Sequence, residues 1–362
     1  MVTKDEIRKL LEYAILAPSG ENAQPWHFVV KESQVEIWNV PERDQSLYNW
    51  QQRASYMAIG AAAENIVLAG KEAGIKAEVL FFPSADKPEL VAHISLSKEP
   101  VTRDVLFQSI KDRCTNRKAY KKTPLTDDQI RQLQGCLPAG DSRKVLFTQD
   151  PAKRKALGKA ASINERIIFS NEGLHRFFFS HVNWNLKEDD EKKMGFFIDT
   201  LELAPPDKMM FKILKSWPVT NMLNGIGISK VISGKNAGLY SSAPAFGMFT
   251  IPDQSPLAFA QAGRAMQRIW LTAAKLKLSL QPVGGVLFFM RRIRGGAADM
   301  FSPDQLEAIR GGYDKIASAF GLGPEETAGF FFRIGDGGNP TARASRFSVD
   351  EVSDFGQTQK SN

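Results

Sequence analysis

Cysteine and histidine are scarce in this chain of 362 residues, with two of the first and four of the second. Cys114 and Cys136 are too few for a disulfide framework and stand at no zinc-ligand spacing. His27, His93, His175 and His181 fall at no metal-binding interval either, so no metal site is expected. No apolar run approaches the roughly 18 residues of a membrane span, and the charged, amphipathic start MVTKDEIRKLLEY does not read as a secretory signal. These absences point to a chain with no membrane partner in a reducing, cytoplasmic setting. A G-x-S-x-G nucleophile motif is missing, and no paired acids suggest hydrolysis. Gly225-Ile-Gly227 lacks the third glycine of a dinucleotide fingerprint, because Lys230 stands there. The net charge of +7 is modest and dispersed. Its densest patches, 111–122 and 290–294, carry no interleaved aromatics and no nucleic-acid motif, so a nucleic-acid partner is not expected. An anionic small ligand is the simpler reason for local basic clusters.

What is present is a weak internal repeat. Thr3-Lys4-Asp5-Glu6-Ile7 is echoed by Thr126-Asp127-Asp128-Gln129-Ile130, each a helix start with a hydroxyl cap and an acid or amide three residues on. The first runs into Ala17-Pro18-Ser19-Gly20, the second into Leu137-Pro138-Ala139-Gly140, and each precedes a short apolar strand, Phe28 to Val30 and Val145 to Phe147. Downstream, Gly60 to Val79 aligns without gaps on Gly263 to Pro282, with Gly60/Gly263, Ala62/Ala265, Ile66/Ile269 and Leu68/Leu271 in register. Both stretches are apolar nearly all round, which predicts two buried central helices. Strands are expected after them: Ala77 to Phe82 and Leu90 to Leu96 in one half, Val286 to Phe289 and Gly329 to Gly335 in the other. The second half carries an insertion of about 80 residues between its first strand and its central helix.

Four segments concentrate residue types suited to binding. Ala17 to Phe28, APSGENAQPWHF, packs prolines, glycine, serine, asparagine and glutamine between a helix and a strand. It reads either as a plain turn or as a loop offering amide and hydroxyl groups to a polar ligand rim. Arg113-Cys114-Thr115-Asn116-Arg117 offers guanidinia that bind two oxygens of an anion at once, or is a solvated basic turn. Gln281-Pro282-Val283-Gly284-Gly285 permits close backbone approach, or is a simple connection. Arg343-Ala344-Ser345-Arg346 follows the closing strand Phe332 to Asp336.

Together these segments resemble the nitroreductase family of FMN-dependent oxidoreductases. The family's A-P-S-x-x-N-x-Q-P-W flavin loop matches Ala17 to Trp26, and its R-x-S-x-R phosphate segment matches Arg113 to Arg117. The resemblance implies that Pro18, Ser19 and Asn22 meet the flavin edge. Arg113, Thr115 and Arg117 would hold the ribityl phosphate, with Arg346 or Arg343 from the tail. Pro282, Val283, Gly284 and Gly285 would pass beside flavin N5, and Asn164 would reach the pyrimidine. No catalytic side chain is expected, because the cofactor supplies the chemistry. Arg291, Arg292 and Arg294 are candidates for a nicotinamide phosphate, or merely solvated.

The expected fold is α+β and nitroreductase-like, a tandem duplication mimicking the family homodimer, each half a mainly antiparallel sheet flanked by helices. Residues 1–105 would form the reduced first half, which supplies the flavin-edge loop. Residues 106–362 would form the second, with phosphate and N5 contacts and an insertion at about 170–242 as a lid. The pattern resembles the fused, single-chain Acg-type branch. The implied cofactors are FMN, with NADH or NADPH as reductant. The implied partner is a small electron-poor acceptor, a nitroaromatic or quinone, reduced by two electrons in a monomer or weak dimer. The alternative is a protein that sequesters or senses flavin under its lid.

Overall fold

A computed structural model describes residues 1–138, 140–141, 143–323 and 326–356. Its two echoed helix starts are built alike. Lys4–Ala14 opens on a capping box between Thr3 and Glu6, and Asp127–Gln134 on one between Thr126 and Gln129. Each box satisfies two amide donors that the first helical turn leaves free.

Two antiparallel sheets follow, one per half, with helices against them. The first orders Trp26–Lys31, Gln34–Asn39, Leu90–Ser97 and Lys76–Phe81 side by side. The second orders Val145–Thr148, Ala245–Ile251, Thr327–Gly335 and Ser279–Pro282. The chain's last strand, Ser353–Asp354, crosses back and pairs in parallel with Trp26–Lys31 of the first sheet. The tail that follows the candidate arginines is therefore anchored on the opposite half.

Between the sheets lie the helices Arg53–Glu72 and Pro256–Lys275, packed on each other. Their crossing is reciprocal. A Cβ at Gly60 would strike the carbonyl of Ala260, and one at Gly263 would strike the carbonyl of Met57. Each glycine thus receives the backbone three residues before the other. Only glycine allows helix backbones so close. Beside the crossing, the buried Glu64 accepts from Arg264 Nε (2.7 Å) and Arg268 Nη1 (2.9 Å), and Gln267 donates to Asn65 (2.7 Å).

The expected strand at Val286 to Phe289 is not a strand. Those residues belong to the helix Gly285–Arg294, and the sheet is completed earlier, by Ser279–Pro282. A short apolar run does not by its periodicity distinguish a strand from one buried helical face. Here Val286, Leu287 and Phe289 are the buried face. The inserted region folds as short helices, among them Glu172–Ser180, Pro205–Ile213, Trp217–Asn224 and Ile228–Ser241. It has its own aromatic core, with Phe169, Phe179 and Phe197 buried. His175 is buried in that region and bonds the carbonyl of Leu214 (2.8 Å). Among the described residues no cluster suited to a metal ion occurs, and no helix is long and apolar enough to cross a membrane.

Candidate functional site

A cavity of about 830 Å³ opens between the halves, and the insertion forms one of its walls. The loop after the first helix reaches it with Pro18, Ser19 and Asn22. This loop is strained and heavily tied. Glu21, Asn22 and Gln24 all have positive φ, a conformation that costs a non-glycine residue free energy and is held only by its surroundings. Ser19 Oγ accepts from the Gln24 amide (3.0 Å). Asn22 donates to the carbonyls of Lys193 (3.1 Å) and Ser345 (2.8 Å). Gln24, fully buried, donates to the Lys193 carbonyl (2.7 Å) and accepts from the Phe347 amide (3.1 Å). Asn22 thus spends both amide hydrogens on the insertion and the tail, and only its carbonyl oxygen remains for a ligand.

Arg113, Arg117, Arg343 and Arg346, with Thr115, gather at one end of the same cavity. Arg113 donates to the Leu16 carbonyl (3.1 Å) and lies over the Trp270 ring. Arg346 donates to the carbonyls of Ile15 (2.8 Å) and Ala17 (2.7 Å). Arg117 donates to the Thr200 carbonyl (3.0 Å) in the insertion. Arg343 is more exposed and spends its guanidinium on the carbonyls of Lys111, Asp112 and Arg113. Among the described residues none of the four pairs with a carboxylate. Arg113 Nε is buried without any partner. Burial, reinforced by Arg346 and Arg343, pushes the Arg113 pKa down to about 9, and burial brings Arg346 to about 10. Buried cations are ordinarily paired. Here no carboxylate among the described residues supplies the pairing charge, and a phosphate would suit it.

Thr115 makes an isolated parallel bridge with Leu280. This sews the basic segment to the strand that leads into Pro282, Val283, Gly284 and Gly285, all on the cavity wall. Gly285 opens a helix with no side-chain cap. A Cβ on it would collide with the Asn164 side chain, whereas one on Gly284 would meet nothing closer than 3.8 Å. Gly285 is therefore the position where close approach is required. A helix start of this kind presents backbone N–H groups.

Sequence reasoning missed the polar group beyond Asn164. Tyr48 donates to Asn164 Oδ1 (2.8 Å), Asn164 faces Glu165 Oε1 (3.3 Å), and Tyr240 donates to that same oxygen (2.8 Å). Glu165 Oε2 is buried without a partner, and burial raises the carboxyl's pKa. Nearby, Glu21 is pushed up to about 8 by burial and by Asp44. All these residues except Asp44 line the cavity. The one signal for them in the sequence was Glu165's place beside Asn164. Arg291, Arg292 and Arg294, in contrast, are not at the cavity. Arg291 is buried between Phe259 and Phe288 and donates to the carbonyls of Ala328 and Gly329. Arg292 covers Trp50 and Arg294 covers Tyr313. They therefore do not receive a nicotinamide phosphate at this cavity, contrary to the expectation, because none of the three lines it and each lies against an aromatic ring. The counterpart loop 137–142 of the second half includes Ala139 and Ser142, which lie outside the described residues.

Comparison with known proteins bears on what this cavity is. The nitroreductase family model matches residues 1–50, the stretch that includes the Ala17 to Trp26 loop. The uncharacterized protein MT1398 of Mycobacterium tuberculosis is 26% identical over 281 residues, 77% of this chain and 38% of that protein. The putative NAD(P)H nitroreductase acg of the same organism is 26% identical over 184 residues, 49% of this chain and 54% of that protein. The chain thus spans between a third and just over half of the length of these relatives. The FMN-dependent nitroreductase NfnB of Mycobacterium smegmatis, solved with NADPH, is 13% identical and covers 69% of this chain and 97% of its own, with a TM-score of 0.38. The chain is thus similar to the nitroreductase family over its first 50 residues, and to these relatives over half to three quarters of its length.

Proposed function

We propose that this protein is an FMN-binding oxidoreductase of the nitroreductase type, reducing a small electron-poor acceptor with NAD(P)H. The observation that carries this reading is the group of guanidinia at one end of the cavity with no carboxylate among the described residues to pair them. Arg113, Arg117 and Arg346, with Thr115 and Arg343, would hold the phosphate. Pro18 and Ser19 would border the ring system, and the turn at Gly284 and Gly285 would bring backbone amides to it. When bound, FMN supplies two-electron chemistry at its ring, and the chain binds, orients and excludes water. The flavin-edge loop comes from the first half and the other contacts from the second, so we read the chain as a fused pair with one composite site, divided at about residue 105. The purified protein should bind FMN with a visible flavin spectrum, and anaerobic NADPH should bleach it. No flavin uptake would overturn the reading.

A second reading is favoured by one feature. The insertion walls the cavity, and its residue Lys193 is held by both Asn22 and Gln24. A lid so fastened suits storage of flavin. It predicts a flavin band that NADPH leaves unchanged.

A further inference from the structure

The reduction proposed above needs protons as well as electrons, and it uses no side chain of the group around Glu165. Glu165 lies on the helix Ile163–Ser170, immediately after the residue that packs on Gly285. Its two oxygens differ. Oε1 accepts from Tyr240 and Asn164, while Oε2 is shielded from water and has no partner. No cation pairs with it among the described residues. The groups that face it are Tyr48 through Asn164, Tyr240 from the helix Ile228–Ser241 and, beyond Tyr240, Arg117 and Arg333. A carboxyl placed this way holds its proton to higher pH than an exposed one, because ionising it would bury an unpaired charge. Both hydrogen bonds go to one oxygen, so the other is the oxygen left to carry the proton. Structural carboxyls in this molecule are built otherwise. Glu64 is deeper still and takes two arginines.

We propose that Glu165 is the proton donor to the acceptor reduced in this cavity. The inference rests on the reading of the cavity as a flavin site. For a quinone acceptor, one hydride equivalent comes from NAD(P)H by way of the flavin. The Glu165 O–H bond breaks, an O–H bond forms at the acceptor's carbonyl oxygen, and the hydroquinone leaves. The carboxylate, which borders the cavity, then takes a proton from water that enters as the product leaves. The acceptor class this fits is a neutral molecule with a carbonyl or nitro oxygen that must be protonated as it is reduced.

The test compares wild type and Glu165→Gln, full-length and loaded with FMN, on two acceptors. p-Benzoquinone must be protonated, while ferricyanide takes an electron without a proton. The expected result is a fall of about 10²–10⁴-fold for benzoquinone, the usual size of general acid catalysis, with ferricyanide reduction and the NADPH half-reaction unchanged. Wild-type benzoquinone rates should fall as pH rises through a pKa above the ordinary carboxylate range, and the variant should lose that limb. Independently of turnover, the infrared spectrum of the flavin-free protein at pH 7 should show a protonated carboxyl band that Glu165→Gln removes. Tyr240→Phe takes away a hydrogen bond that favours the carboxylate, so it should move the limb to higher pH. Equal loss on both acceptors, unchanged benzoquinone rates, or no band assignable to Glu165 would overturn the proposal. Failure of NADPH to reduce the flavin in wild type would instead overturn the functional reading beneath it.

Discussion

The two ends of the cavity are starved of partners in opposite ways. At one end Arg113 is buried and Arg117 and Arg346 are half-buried, with no carboxylate partner among the described residues. At the other, Glu165 is half-buried with its Oε2 shielded, and no cation pairs with it among the described residues. The consequences differ because the groups differ. An arginine does not give up its proton near neutral pH, so its unpaired charge persists until an anion arrives. A carboxyl escapes the same penalty by staying protonated. One end therefore suits an anionic ligand, and the other favours a protonated carboxyl. Glu64 gives the third case, a buried carboxylate already paired by Arg264 and Arg268.

The sharpest way to break the comparison is to remove the guanidinia. Arg113→Ala with Arg346→Ala deletes two charge-assisted contacts to a phosphate, each worth about 1.5–3 kcal/mol. FMN affinity should drop by roughly 10²–10⁴-fold, measured by fluorescence titration. The flavin-free variant should melt no lower than wild type, since two unpaired charges are gone. Lysine at either position should restore only part of the affinity, because it cannot bind bidentately.

Next in size is the contrast between two glutamates. Glu64→Gln takes the carboxylate from Arg264 and leaves Arg268 only Asp104, and breaking a buried pair costs about 3–5 kcal/mol. Glu165→Gln replaces a neutral acid by a neutral amide that still accepts from Tyr240, so its cost should stay below about 1 kcal/mol. Urea titrations of the two variants should separate widely. Equal losses would mean that Glu165 is ionised in the folded protein.

Legibility follows the same division. Residues that stand out within their own segment could be placed together from the sequence. The loop Ala17 to Trp26, the Arg113 to Arg117 segment and the Gly284-Gly285 turn each carry unusual types at short spacing, and all reach the cavity. The capping boxes at Thr3 and Thr126 were equally local. The Gly60/Gly263 register was legible because each helix keeps its half of the crossing. What failed needed tertiary information. Val-Leu-Phe-Phe at 286–289 is apolar enough for a strand, and only the sheet's completion by Ser279–Pro282 leaves it to be a helix. The basic run at 291–294 advertises charge, yet its aromatic partners Phe259, Trp50 and Tyr313 lie far away in sequence. Tyr48, Glu165 and Tyr240 come from three separate segments, and nothing in any one of them announces the group. The tail's return to the first sheet had no signal at all, because Ser353–Asp354 is too short to show a period.

A smaller effect is expected at the glycine that sits between the two ends. Gly285→Ala must displace Asn164 and with it the bonds to Tyr48 and Glu165. Overpacking of this kind costs about 1–3 kcal/mol. Gly284→Ala, which meets only ordinary contacts, should be nearly silent in stability. Thermal melts of the pair would show whether the close approach is confined to one residue.

The least effect, and the most direct on the acidic end, is on the pH dependence of the flavin-free protein. Glu21 is pushed up from 4.5 to about 8 by burial and by Asp44, and Glu165 is raised in the same direction. A carboxyl whose folded pKa lies above its unfolded value binds more protons when folded. Its contribution to stability is fully present below the unfolded pKa and is lost as pH rises through the folded one. The melting temperature should therefore decline from about pH 5 to pH 8. Both glutamates converted to glutamine should flatten that decline, and each single variant should flatten part of it. The guanidinia at the other end should add nothing over this range, since Arg113 loses its proton only near pH 9. A wild-type profile already flat between pH 5 and 8 would mean that water or a conformational adjustment relieves the acidic end, and that the two ends of the cavity are not the opposites described here.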